Sequence, residues 1–147
     1  MTTNRSVQFS GAPKLTHHAL HCRDIEATIA FYRDVCGMKV GHDRTGGDIR
    51  VVWMTQANDP DGVYFVLIDG GDPAPQRPHD FGHFGFEMPT RADVDIMHAA
   101  GVARDCVQWP AKDDGYPVGY NCGLRDPDGK VVEFSYVLEF SDRAKPE

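Results

Sequence analysis

The strongest constraint on the fold is that the chain writes the same sentence twice. Residues His17 to Cys22 alternate as a strand does, Asp24 stands in a helix N-cap position, and Ile25, Ile29, Tyr32 and Val35 recur at helical spacing before Gly37. His83 opens a second alternating run, "HFGFEMP", Thr90 stands where Asp24 stood, and Val94, Met97 and Ala100 recur before Gly101. The interval from histidine to cap is 7 residues in both copies, and the copies are offset by 66. A second marker agrees within one position: "DPDG" at 59–62 returns at 126–129, an offset of 67. Internal repetition of this kind marks a fold built from two like units.

Between helix and DPDG each copy has room for strands joined by turns. In the first, "MKVGHDR" and "IRVVWMT" flank "TGGD", a hairpin in which Gly46 and Gly47 supply positive φ. DPDG then suits a tight turn, with Pro second and Gly fourth, and leads into "VYFVLID" or "KVVEFSYV" as the last strand. Each copy therefore reads β-α-β-β-β, and the expected fold class is α+β. Two modules, about 14–69 and 80–139, place curved sheets around a cup in a single domain spanning 13–139. The Pro-rich stretch 70–79 is the linker, and 1–12 and 140–147 are tails.

Composition bounds the setting. A chain of 147 residues, 41% hydrophobic, can bury one good core. A net charge of −7 with scattered Lys and Arg argues against nucleic-acid binding and for a small-molecule substrate. No apolar run approaches the ~20 residues that span a bilayer, and the N-terminus has no signal-peptide pattern, so no membrane association and a cytoplasmic location are expected. The cysteines 22, 36, 106 and 122 lack CxxC spacing and are read as reduced, with Cys22 a small buried hydrophobe.

The segment "LTHHALHCRD" concentrates three of the seven histidines. On a strand, His17, Ala19 and His21 share one face while His18, Leu20 and Cys22 share the other. His18 rivals His17 as a functional residue, but only His17 keeps the spacing to the cap found in the second copy. Glu133 lies inside the apolar run "VVEFSY", where an unpaired charge is costly to bury.

The stretches "HHALHCRDIEATIAFYRDVCGM", "FGHFGFEMP" and "RDPDGKVVEFSY" together resemble the glyoxalase/bleomycin resistance/extradiol dioxygenase superfamily, the vicinal oxygen chelate proteins, over residues 13–139. The resemblance implies metal ligands from the first and last strands of each module. Carried over position by position, these are His17, His83 and Glu133, with Val66 in the fourth place, where it cannot bind a metal. Two imidazoles and a carboxylate on one side of an ion suit Fe(II), with Mn(II), Ni(II) or Zn(II) also possible. His21, on the His17 face, is the candidate acid-base group or a partner that orients a ligand. Tyr64 alternates with Val66 toward the cup. Arg125 could hold an anionic substrate or pair with Asp126 or Asp128, and Tyr116 and Tyr120 lie in a loop placed at the mouth of the cup. The resemblance also implies a homodimer, and the linker is long enough for modules to pair within or between chains.

Three ligands favour extradiol-type dioxygenation. Two departures count against it: ring-cleaving members carry a Tyr three residues before the Asp of the second turn, where this chain has Gly123, and their auxiliary His is not found. Glyoxalase- or isomerase-type lyase chemistry is the alternative. Fosfomycin-modifying members share the ligand set but carry a cation- or base-supplying loop with no counterpart here. A metal- or ligand-binding resistance protein without turnover is the non-enzyme reading.

Overall fold

The computed structural model describes residues 6–137. The expected tail 140–147, the last two residues of the second module and the first five of the chain lie outside the described residues. The first module comprises β1 (His17–Cys22), α1 (Ile25–Asp34), β2 (Met38–Gly46), β3 (Ile49–Gln56) and β4 (Tyr64–Asp69). The second comprises β5 (Phe84–Glu87), α2 (Arg91–Ala103), β6 (Val107–Asp113), β7 (Tyr120–Arg125) and β8 (Val131–Tyr136). The sheets are ordered β1-β4-β3-β2 and β5-β8-β7-β6, so each first strand is an edge strand lying parallel to the last strand of its module. The protein is an α+β fold of two βαβββ modules.

The local chemistry matches the repeat. The Asp24 carboxylate accepts from the Ala27 amide and the Thr90 hydroxyl from the Asp93 amide, so both helices begin where a side-chain oxygen satisfies a free N–H. Two details differ from expectation. In the hairpin only Gly47 has a positive φ, while Gly46 ends β2. Helix α2 also runs through Gly101 to Ala103 instead of stopping there. Gly101 serves packing, since a Cβ there would collide with Leu124. No helix among the described residues is long and apolar enough to cross a membrane.

The helix-bearing sides of both sheets share one core. Leu20, Phe65 and Leu67 of the first sheet and Cys122, Leu124, Val132 and Phe134 of the second belong to a single buried cluster. Phe84 and Phe86 pack against that cluster half-buried. Phe65 meets Phe84 at 5.1 Å between ring centroids and Phe86 at 6.3 Å, and His18 meets Phe84 at 4.8 Å. Cys22 and Cys122 lie in this core as neutral hydrophobes, burial pushing both thiols up to about 11.

The second DPDG turn joins the modules. Tyr32 on α1 donates to Asp126 Oδ2 at 2.8 Å, the Asp126 Oδ1 accepts from the Asp128 and Lys130 amides at 2.9 Å, and Asp128 accepts from the Arg23 amide at 3.2 Å. Asp126 is buried, and desolvation, outweighing these hydrogen bonds, raises its carboxyl above the ordinary range. The folded state thus holds this proton to higher pH than the unfolded chain, and the group's contribution to stability falls as pH rises through the raised value. Tyr32→Phe removes a donor from a buried carboxylate and is expected to cost ~1–3 kcal/mol in urea denaturation near neutral pH. The gap from wild type should narrow on acidification, because a protonated Asp126 needs the phenol less.

Candidate metal centre

Each sheet keeps the face opposite its helix open. On the first sheet that face carries His17, Ala19 and His21 of β1, Tyr64, Val66 and Ile68 of β4, and Val51 and Trp53 of β3. The three β1 residues are exposed and the apolar ones only half-buried. His17 and Tyr64 are register partners, and their rings stack at 5.4 Å and 16°. His17 Nδ1 lies 2.8 Å from the Thr16 hydroxyl. His21 Nδ1 lies 3.2 Å from the Gly70 carbonyl, which can only accept, so Nδ1 carries hydrogen and Nε2 holds the lone pair of the neutral ring. Gly71, at φ +86°, permits this close passage, as a Cβ there would lie 2.9 Å from the imidazole.

On the second sheet, His83 immediately precedes β5, and Glu133 lies at the centre of β8 opposite Gly85 and Gly123. His83 Nε2 stands 3.3 Å from Glu133 Oε2, and Nδ1 stands 2.7 Å from the Phe81 carbonyl. Here the geometry constrains the chemistry. With Nδ1–H committed to a carbonyl, a neutral His83 turns the Nε2 lone pair toward a carboxylate oxygen. Two acceptors at that distance need a proton or a cation between them. The carboxylate side chain is 16% exposed, so water reaches it only from the open face.

Trp109 walls this pair. Its ring meets His83 edge-on at 5.9 Å, and its Nε1 donates to Asn121 Oδ1 at 2.7 Å. Buried Asn121 in turn donates to Asp114 Oδ2 at 2.9 Å and the Gly119 carbonyl at 3.1 Å. The indole lies over Gly123, whose Cβ would sit 2.5 Å from it.

The structure therefore brings together two of the three expected ligands. Among the described residues no group of three or more His, Cys, Asp or Glu side chains is arranged to hold a metal, so within one chain His17 does not join His83 and Glu133. Tyr64 lies on the His17 face as expected, and His18, on the other face and still exposed, meets the Phe84 ring at the edge of the inter-module core. Arg125 pairs with neither Asp126 nor Asp128; it donates to the Val107 carbonyl at 2.7 Å and to Gln108 Oε1 at 3.1 Å, which binds β7 to the edge strand. Tyr120 lies on the helix side, under Arg91 at 3.8 Å and bonded to Asp95. Trp109 and Asn121 carry no motif of their own. The one sequence signal for them was a glycine where a larger residue was expected.

The chain belongs to the glyoxalase/bleomycin resistance protein/dioxygenase superfamily, whose family model matches residues 14–134. It is 46% identical over 125 residues to uncharacterized protein PA2024 from Pseudomonas aeruginosa, covering 85% of this chain and 89% of that protein. The fold is shared with the trypanothione-dependent glyoxalase I of Leishmania major, with a TM-score of 0.68 at 18% identity over 85% of this chain and 87% of that one. It is also shared with the fosfomycin resistance protein FosX of Listeria monocytogenes. A FosX variant solved with Mn(II) and 1S,2S-dihydroxypropylphosphonic acid gives a TM-score of 0.70 at 18% identity, over 94% of this chain and 98% of that one.

Gly123→Ala is expected to destabilise by ~1–3 kcal/mol, since a methyl group must displace the indole. In Gly123→Ala/Trp109→Ala the Gly123 term should largely vanish, a coupling that thermal melts of the double-mutant cycle would measure.

Proposed function

We propose that the protein is a divalent-metal-dependent enzyme acting on a small molecule with two adjacent oxygens, its metal held by His17 of one protomer and His83 and Glu133 of another. The observation that carries this is the His83–Glu133 pair, two lone-pair donors 3.3 Å apart with the second imidazole nitrogen already satisfied. A homodimer supplies the third donor. Each chain leaves a half-buried apolar face on the first sheet, of the kind proteins cover by association. FosX with Mn(II) and a vicinal diol supports the choice of ion and ligand type.

A divalent cation held there supplies Lewis-acid polarisation of adjacent oxygens. The remaining work falls to the chain. His21 Nε2, two residues along the same face from His17, accepts a proton released from substrate, and the Tyr64 hydroxyl orients it. Val66, Ile68 and Trp53 exclude water around them. Proton transfer or addition, as in a glyoxalase- or isomerase-type lyase, is favoured over ring cleavage because the place of the expected tyrosine, Gly123, is filled by the Trp109 ring. Extradiol dioxygenation with Fe(II) is the second reading. It is supported by Val66, which leaves the fourth ligand position open. Oxygen uptake and a yellow ring-opened product from catechols after anaerobic Fe(II) reconstitution would establish it over the first.

The shared site has a direct test. His17→Ala and Glu133→Gln should each lose stoichiometric Mn(II) by equilibrium dialysis, while His18→Ala keeps it. Unfolded together and refolded as a mixture, the two inactive variants should regain about a quarter of the sites, because half the random dimers carry one intact centre. No recovery would overturn a centre shared between copies.

A further inference from the structure

We propose that the cleft between the edge strands β1 and β5, roofed by the linker, is a binding site for the oxyanion of a small acidic ligand, recognised by Arg77 and Lys130. The cleft has a volume of about 560 Å³, within the range of small-molecule sites. Leu20 and Phe84 form its floor, and His21 and His83 border it from the two modules.

Three observations make it a built site. The first is that its roof is fixed at both ends. Arg23 donates to Asp72 Oδ1 through Nε at 3.1 Å and Nη2 at 3.0 Å and also bonds the Pro73 carbonyl, while Gln76 uses its whole amide: Nε2 donates to the carbonyls of Asp80 at 2.9 Å and Gly82 at 2.6 Å, and Oε1 accepts from the Val131 amide at 3.2 Å.

The second is charge. In a chain of net charge −7, Arg77 and Lys130 line this one cleft, and neither side chain has a hydrogen bond or ion pair with any described residue. Every other arginine among the described residues except Arg44 has a hydrogen-bonding partner, and Arg44 lies over Trp53. The Asp80 carboxylate also lines the cleft, but its Oδ1 accepts from the Gly82 amide at 2.9 Å and turns the strap toward β5. A planar guanidinium and an ammonium on residues that line one cavity suit a carboxylate, phosphonate or phosphate group.

The third is position. His83 borders the cleft and also faces Glu133, so a ligand anchored here by its anionic end would present the rest of its skeleton to the proposed centre. The inference deepens the proposed function by giving the substrate a negative charge, and rests on it only for calling that ligand a substrate; anion binding itself needs no metal.

The test uses the metal-free dimer and two probes, inorganic phosphate and methylphosphonate, titrated by 1H–15N NMR on the Arg77 Nε–H and the amides of 74–83. Both probes should produce saturable shifts there. Arg77→Met and Lys130→Met should each weaken binding about tenfold, the loss of one charge-assisted contact, with unchanged melting temperature since neither side chain holds the fold. Glu133→Gln should bind phosphate as wild type does while losing Mn(II). Phosphate alone binding would assign the site to the free ion and overturn its role for a ligand-borne group. Wild-type affinity in either Met variant, or no shift at Arg77, would overturn the inference altogether. Failure of wild type to take up Mn(II) with anion binding intact would instead remove the metal reading.

Discussion

Phe65 is the contact on which the rest of the architecture turns. Its ring touches Tyr32 of the first helix at 5.2 Å as well as His18, Phe84 and Phe86, so one side chain knits a sheet, its helix and the other module together. Burying an aromatic of this size is among the larger single stabilising terms available to a small domain. Strand geometry then decides everything on the other side. With Phe65 inward, Tyr64 and Val66 must face away from the helix, and the register with β1 carries His17 and His21 with them. The core therefore dictates which histidines are available for chemistry.

That arrangement explains why His17 stands apart from His83 and Glu133 within one chain. Both modules give their helix-covered sides to a common core, which leaves both imidazole-bearing faces uncovered. An edge strand beginning each module and an apolar open face are liabilities in an isolated monomer. Both are relieved if the open face of one copy meets the second module of another. The proposed metal and the proposed dimer thus answer the same physical problem from two directions, since a cation would take the place of the proton that His83 and Glu133 otherwise need between them.

The repeat, the caps and the facing of β1 and β4 were legible in the sequence because they depend on short-range periodicity, whereas Tyr120, expected in a loop at the mouth of the cup, opens β7 on its helix side. His17 was separable from His18 by the interval to the helix cap that it shares with His83. What escaped depends on contacts between distant residues. Nothing local shows that Arg125 spends its guanidinium on the backbone of β6, that Asp126 is buried against Tyr32 94 residues away, or that Gln76 clamps the linker. The stop expected at Gly101 failed for the same reason. A glycine reads as a helix terminator when viewed along the chain, and as a packing surface only when Leu124 is above it.

The two halves have diverged in a way that fits a single asymmetric centre. The first DPDG turn is exposed, with Asp59 and Asp61 in solvent, while the second is buried and carries the inter-module hydrogen bonds. The equivalent last-strand positions hold Val66 in one module and Glu133 in the other. A duplicated fold with matching ligands in both halves would surround an ion with four protein groups. Valine at 66 keeps an unpaired charge off a largely apolar face, where it would be costly without a partner, beside His21 and Tyr64. On the proposed reading, the His21 Nε2 on that face would take a proton from the substrate while the Tyr64 hydroxyl orients it.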